Sequence, residues 1–218
     1  MSTYVPISLS LEITLETALH VGTGFGLAQL LDDRTTCGPH PYPTYEATLP
    51  YIPGSSLKGR LRAHAERMAA SLALAQATLL IEDLFGTARI PGRLVFPDAH
   101  LVEVDERMIA RKDANLLPYL ALEERTFVAL SRQRRTAIDK RLARIEATSA
   151  GLRMETTLRG WLLPEQAQLA LALLVLAAHT TTMIGGHKAR GMGAVQIRAS
   201  TCMIDEQVLS LAQLWEAL

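Results

Sequence analysis

Residues 51–67 read YIPGSSLKGRLRAHAER, and the chain around them is organised by how this stretch is read. Tyr51 and Ile52 approach as a strand, Pro53 and Gly54 turn the chain, and a helix opens. Ser55 or Ser56 is placed to cap the first amides. Lys58 and Arg62 stand four residues apart and share a face, while Leu57, Leu61 and Ala65 line a neighbouring face suited to a core. A helix N-terminus with free amides, hydroxyls and nearby cations is an anion site. Two readings follow, a grip on a phosphate backbone and an amphipathic helix with a good cap. Spacing alone leaves both open.

Working outward, Val5, Ile7, Leu9, Leu11, Ile13 and Leu15 alternate with Ser8, Ser10, Glu12 and Thr14, which predicts a long strand with one buried face. A glycine turn, HVGTGFG over residues 20–26, follows it. Leu27 stands where a dinucleotide fingerprint needs its third glycine, so these glycines serve a tight strand exit or close approach to a partner. Residues 27–50, rich in proline, form an irregular insertion that carries Asp32 and Asp33. The helix of the opening stretch is expected to run through an alanine-rich segment to about residue 77. RLVFPDAHLVEV, residues 93–104, reads as an edge or bulged strand because of Pro97. Residues 106–150 are read as an insertion with a hairpin or short helix. Leu152, Met154, Leu158 and Leu162 share one phase of a strand. A helix apolar nearly all round is expected from Pro164 to about Met183, and a last strand over residues 194–198. The order strand, helix, strand, strand, helix, strand fits an α+β, ferredoxin-like (RRM-like) split unit with both helices on one face of the sheet.

Composition bounds the function. The formal net charge of the 218 residues is zero, which excludes a uniformly basic nucleic-acid binder but permits local patches. One patch lies at Lys58, Arg60, Arg62 and Arg67, and another runs from Arg132, Arg134 and Arg135 to Arg153. Aromatic residues are only 5%, too few for broad base stacking, so phosphate gripping is the better fit. Cys37 and Cys202 are far apart, in no metal-like spacing, and are expected to be free thiols of a cytoplasmic protein. The longest apolar run, residues 169–178, is too short to span a bilayer, so no membrane is expected.

A second glycine segment, IGGHKARGMGAV over residues 184–195, lies between the apolar helix and the last strand. Gly186, His187, Lys188 and Arg190 give it close backbone approach and cations suited to a polyanion; the competing reading is a glycine-terminated helix and a flexible turn. It is not a Walker loop, because Met192 and Gly193 stand where Lys and Ser or Thr belong. His20 and Gly22 of the first turn, like His187, can meet phosphate or base. His64 and His179 read as structural. Asp32 and Asp33 are either solvated loop acids or a pair able to hold Mg2+ or another divalent metal, or to orient a 2′-hydroxyl.

ETALHVGTG, YIPGSSLKGRLR, DLFG followed by GRLVFPDA, and IGGHKARGMGAV occur in an order that resembles the RAMP superfamily, and within it the Csm-type backbone subunits of type III CRISPR effector complexes. The resemblance covers about residues 8–197 of a single domain. It implies a palm at about 4–26, 51–105 and 151–204, a loop insertion at about 27–50 and a thumb insertion at about 106–150. It also implies copies stacked along a guide RNA (crRNA), other effector subunits as partners, and complementary RNA as target. Ser55, Ser56, Lys58, Arg60 and Arg62 would contact the guide backbone, with the last glycine loop beside them. The hairpin thumb, drawn from residues 129–152, would bring Arg132, Arg134 and Arg135 to the RNA. In that pattern Ser131 stands where the family has Asp, followed by Thr136, Ala137 and a later Glu146. The family cleaves target RNA with a loop aspartate and a divalent metal, and Asp32, or alternatively Asp33, matches that position. The alternatives are a non-catalytic scaffold of such a complex, a stand-alone ribonuclease that processes the guide precursor, and a ferredoxin-like module with no RNA affinity.

Overall fold

A computed structural model of the chain describes residues 3–22, 37–39, 48–75, 77–102, 122–216 and 218. Strand β1 (Val5–Leu15) is central in a six-stranded antiparallel sheet. β8 (Arg153–Leu162) pairs along one side of it and β9 (Val195–Ile204) along the other. β4 (Leu94–Val95) and β5 (His100–Leu101) both lie on the far side of β8, and β10 (Gln207–Val208) edges β9. The order β9–β1–β8–β4 is the strand order of a ferredoxin-like unit, as the element sequence predicts.

The alternation in β1 decides which face is buried. Ile7, Leu9, Leu11, Ile13 and Leu15 are all buried, and Met154, Leu158 and Leu162 of β8 with Val195 and Ile197 of β9 continue that face. Three helices cover it: α1 (Gly54–Ser71), α2 (Ala77–Phe85) and α3 (Pro164–Thr180). α1 contributes Leu57, Leu61, Ala65 and Ala69, the stripe that the spacing predicts. The other face is half-exposed and polar, with Ser10 and Thr157 hydroxyls 3.0 Å apart. A short α4 (Leu211–Trp215) follows β10 with a Ser210–Gln213 capping box.

Several boundaries differ from the sequence reading. α1 stops at Ser71, and the chain turns through Ala73 at φ 49° before α2 begins. Alanines favour helix and carry no stop signal, so the break is invisible in composition. α3 ends at Thr180 rather than Met183, and its His179 is exposed. The last strand continues past residue 198 to Ile204. Pro97 does break the edge strand: β4 and β5 are two pieces, and Thr156 fills the gap by donating to the Pro97 carbonyl at 3.1 Å. Within the loop insertion, β2 (Cys37–Pro39) pairs with β3 (Thr48–Pro50).

The thumb insertion holds a hairpin outside the main sheet, β6 (Leu122–Leu130) paired with β7 (Ala137–Thr148). It starts seven residues earlier than the 129–152 reading, because the first strand is mostly exposed and gives no clean alternation. Its root is bonded to the palm by the Leu19–Thr148 pair of backbone bonds, 3.0 and 2.7 Å. A small second core of Ala18, Ile145, Ala147 and Met192 lies at this root, with Phe127 packed against it.

Candidate nucleic-acid interface

The helix start that opens residues 51–67 is built differently from the expected cap. Pro53 is the N-cap residue and no side chain caps the helix, so Ser55 and Ser56 do not serve that role. Instead the Gly54 amide donates to Asp98 Oδ1 at 2.8 Å, and the Ser56 and Leu57 amides donate to the Pro53 carbonyl. The reason is packing. Gly54 is pressed against the carbonyls of Phe96 and Pro97, where a Cβ would collide, and this brings Asp98 from the β4–β5 link to the first amide. The anion at this N-terminus is therefore the protein's own carboxylate. Asp98 was missed because its role depends on a contact forty-four residues away in sequence.

The cations of α1 leave the helix on two flanks. Lys58 and Arg62 face α2 and β4. Lys58 Nζ lies 5.7 Å from the centre of the Phe96 ring, and that ring stacks on Phe85. Arg62 bonds Glu66 at 2.8 Å and the Gly86 carbonyl that ends α2 at 2.9 Å. On the other flank, Arg60 Nε donates to the Met183 carbonyl at 2.9 Å, which ties α1 to the start of the second glycine segment. Burial holds the Lys188 ammonium below its ordinary pKa, and the nearby Arg60 guanidinium adds to the effect. His64 is held low by burial first, then by Arg67, Arg60 and Lys188. Its Nδ1 meets the Thr180 hydroxyl at 3.3 Å, and that hydroxyl donates to Leu176 O at 2.9 Å. Among the described residues no carboxylate pairs with Arg60 or Lys188. Cations gathered at a glycine loop without a carboxylate partner are suited to a phosphate.

The second glycine segment meets the described start of the first. Gly186 N donates to the His20 carbonyl and Gly193 N to the Ala18 carbonyl, both at 2.8 Å. Gly185, at φ 77°, is pressed onto the His20 carbonyl so closely that a Cβ would collide with it. His20 is buried, its Nδ1 2.7 Å from the Glu146 carbonyl of β7, and its ring centre is 5.3 Å from that of His187. His187 adopts φ 53°, uncommon for a residue with a side chain, and opens the 3-10 turn Lys188–Arg190. Its ring stacks on Phe127 of the thumb at 5.5 Å. The Arg190 guanidinium lies 4.3 Å from the Phe127 ring centre and 3.4 Å from His187 Nδ1. The sequence reading names His20, Gly22, His187, Lys188 and Arg190, and the structure brings His20, His187 and Arg190 together. That reading missed Phe127, the one aromatic residue in the hairpin and the only signal available.

Arg132, Arg134 and Arg135 are exposed in the turn at the hairpin tip, away from the root where the glycine segments meet. The turn is closed by Ser131 N to Thr136 O at 2.9 Å and by Arg134 N to Ser131 Oγ at 3.2 Å. Asp32 and Asp33 lie outside the described residues. Among the described residues no group of three His, Cys, Asp or Glu side chains could hold a metal ion, and no helix is long and apolar enough to cross a membrane. Cys202 is free and buried, and burial pushes its thiol pKa up.

An open antiparallel sheet backed by helices, with two glycine segments and a thumb joined at one end, defines the class. The RAMP superfamily model matches residues 12–196, and the chain belongs to that superfamily. It is 32% identical over 115 residues to the CRISPR system Cms endoribonuclease Csm3 of Streptococcus thermophilus, a match that spans 48% of this chain and 49% of that protein. Its fold is that of a chain in the cryo-EM structure of type III-B Cmr-beta bound to cognate target RNA, with TM-score 0.66, 14% identity and coverage of 88% and 96% of the two chains. The apo Cmr-beta structure contains a similar chain at TM-score 0.64, with 14% identity and coverage of 88% and 97%.

Proposed function

We propose that the chain is a guide-RNA-binding backbone subunit of a type III CRISPR effector complex that presents target RNA for cutting by Asp32 or Asp33. The observation that carries the binding half is the convergence of Arg60 and Lys188, without a carboxylate partner among the described residues, beside the joined glycine segments. Phosphate contacts of this kind fix a strand's path and carry no sequence information, as a backbone subunit requires. The superfamily, the similarity to a protein named as an endoribonuclease and the shared fold support the reading. Partners are the crRNA, complementary RNA, further copies of the chain and other effector subunits; the working compartment is the cytoplasm.

Cutting is assigned to attack by a ribose 2′-hydroxyl on its adjacent phosphate. The 2′-oxygen–phosphorus bond forms and the phosphorus–5′-oxygen bond breaks. An aspartate takes the 2′ proton, and the departing 5′-oxygen takes a proton from water. The products are a 2′,3′-cyclic phosphate and a 5′-hydroxyl. Adjacent carboxylates are also suitable oxygen donors for Mg2+ or another divalent ion, which when bound supplies charge neutralisation at the phosphate. The assembled complex carrying Asp32→Ala with Asp33→Ala is expected to bind labelled complementary RNA as the parent does and to release no such products in Mg2+. Undiminished cutting removes the assignment to these aspartates; loss of binding as well removes the division between gripping and cutting.

A further inference from the structure

Among the described residues, the hairpin root meets the palm at the Leu19–Thr148 backbone bonds and at His20 Nδ1, 2.7 Å from the Glu146 carbonyl. The second core under it is small and separate from the main one. Among the described residues, a row of side chains also joins hairpin to glycine loop: His20, His187, Phe127 and Arg190 in sequence. Phe127 is its centre, with the His187 ring at 5.5 Å and the Arg190 guanidinium at 4.3 Å. His187 is held in a left-handed conformation within the stack, and its carbonyl accepts the Arg190 amide at 2.8 Å. We infer that Phe127 is a positioning residue that couples phosphate occupancy of the glycine loop to the stance of the thumb. This inference rests on the RNA-binding reading above.

A guanidinium stacked by its face keeps its edge donors available. Arg190 is exposed, so its edge can hold a phosphate while its face stays on Phe127. A phosphate that fixes Arg190 removes rotamer freedom that stacking would otherwise have to remove, so phosphate binding and stacking favour each other. By linkage, RNA at the loop then steadies the hairpin root, and a steadied root improves the loop. An apolar residue of similar bulk at 127 fills space over the small core but offers neither a ring to His187 nor a π face to Arg190.

The test is hydrogen–deuterium exchange on the full chain with and without a polyuridine oligonucleotide. It is read at the hairpin root, residues 122–128 and 142–148, away from the tip arginines. In the parent chain polyuridine should slow exchange over residues 185–192 and also at the root. Phe127→Leu should keep the slowing at 185–192 and lose it at the root, while Phe127→Tyr restores both. Should Phe127→Leu not fold, Phe127→Met, which keeps apolar bulk without a ring, must give the same uncoupling. Root amides that ignore RNA in the parent chain, or that slow equally in Phe127→Leu or Phe127→Met, overturn the coupling and leave the RNA reading standing. No slowing at 185–192 in the parent chain overturns both.

Discussion

The two flanks of α1 carry similar side chains and meet different fates. Lys58 and Arg62 have partners within the fold: the Phe96 ring, Glu66 and the carbonyl that ends α2. Arg60, with Arg67 further along, faces Lys188 across a gap without an acid among the described residues. The contrast teaches that a basic patch in sequence is not yet a binding site. Among the described residues, Arg62 has a carboxylate partner in Glu66, whereas Arg60 donates to the Met183 carbonyl and has Lys188 as its charged neighbour.

Replacing both members of each pair should make the contrast largest. Arg60→Ala with Lys188→Ala should weaken single-stranded RNA binding about 100-fold, at roughly 1.5 kcal/mol for each charge-assisted contact. It should also reduce the slope of log affinity against log salt by about 1.4 in magnitude. Lys58→Ala with Arg62→Ala should lower unfolding stability by about 1 kcal/mol, because the exposed Arg62–Glu66 pair contributes little and the Gly86 bond somewhat more. Its effect on affinity and salt slope should be the smaller one. Salt titrations of both double variants by fluorescence anisotropy check this, and equal slopes would break the comparison.

The helix start offers a second, smaller contrast. Asp98→Ala should cost about 1 kcal/mol, since the Gly54 amide loses its acceptor against packed backbone. Ser55→Ala with Ser56→Ala should stay within about 0.5 kcal/mol, because neither hydroxyl caps the helix. Urea unfolding of the two variants decides between carboxylate and hydroxyl capping.

The smallest effect is one of pH. His64 has a folded-state pKa below its ordinary 6.5, so the folded protein binds fewer protons than the unfolded chain between that lowered value and 6.5. Stability contributed by the neutral imidazole is therefore complete above pH 6.5 and is lost as pH falls through that window. His64→Gln should flatten this part of the stability–pH curve relative to the parent chain. An unchanged curve would mean that neither burial nor the field of Arg67, Arg60 and Lys188 holds His64 low.

The fold was legible where burial imposes a period. β1 alternates because one face meets α1 and α3, and that alternation was plain at Ile7 through Leu15. The β6–β7 hairpin was not legible in its first strand, because Glu124, Arg125, Thr126 and Val128 are all exposed and no face selects their side chains. The candidate interface was legible in its glycines and cations. Its sorting was not: Asp98, Arg60 and Phe127 acquire roles only from partners forty-four to one hundred and twenty-three residues away or on another sheet.

By itself the sequence determined the element order, the buried faces and the residues of the two glycine segments, because period, turn chemistry and composition are local properties. Tertiary structure alone decided that residues 51–67 present two opposed flanks, that Asp98 takes the helix N-terminus, and that His20, His187 and Arg190 stack with Phe127. Those outcomes depend on which groups the packed sheet brings within a few ångströms. Charge and hydrogen-bond energies depend steeply on that separation and not at all on spacing along the chain.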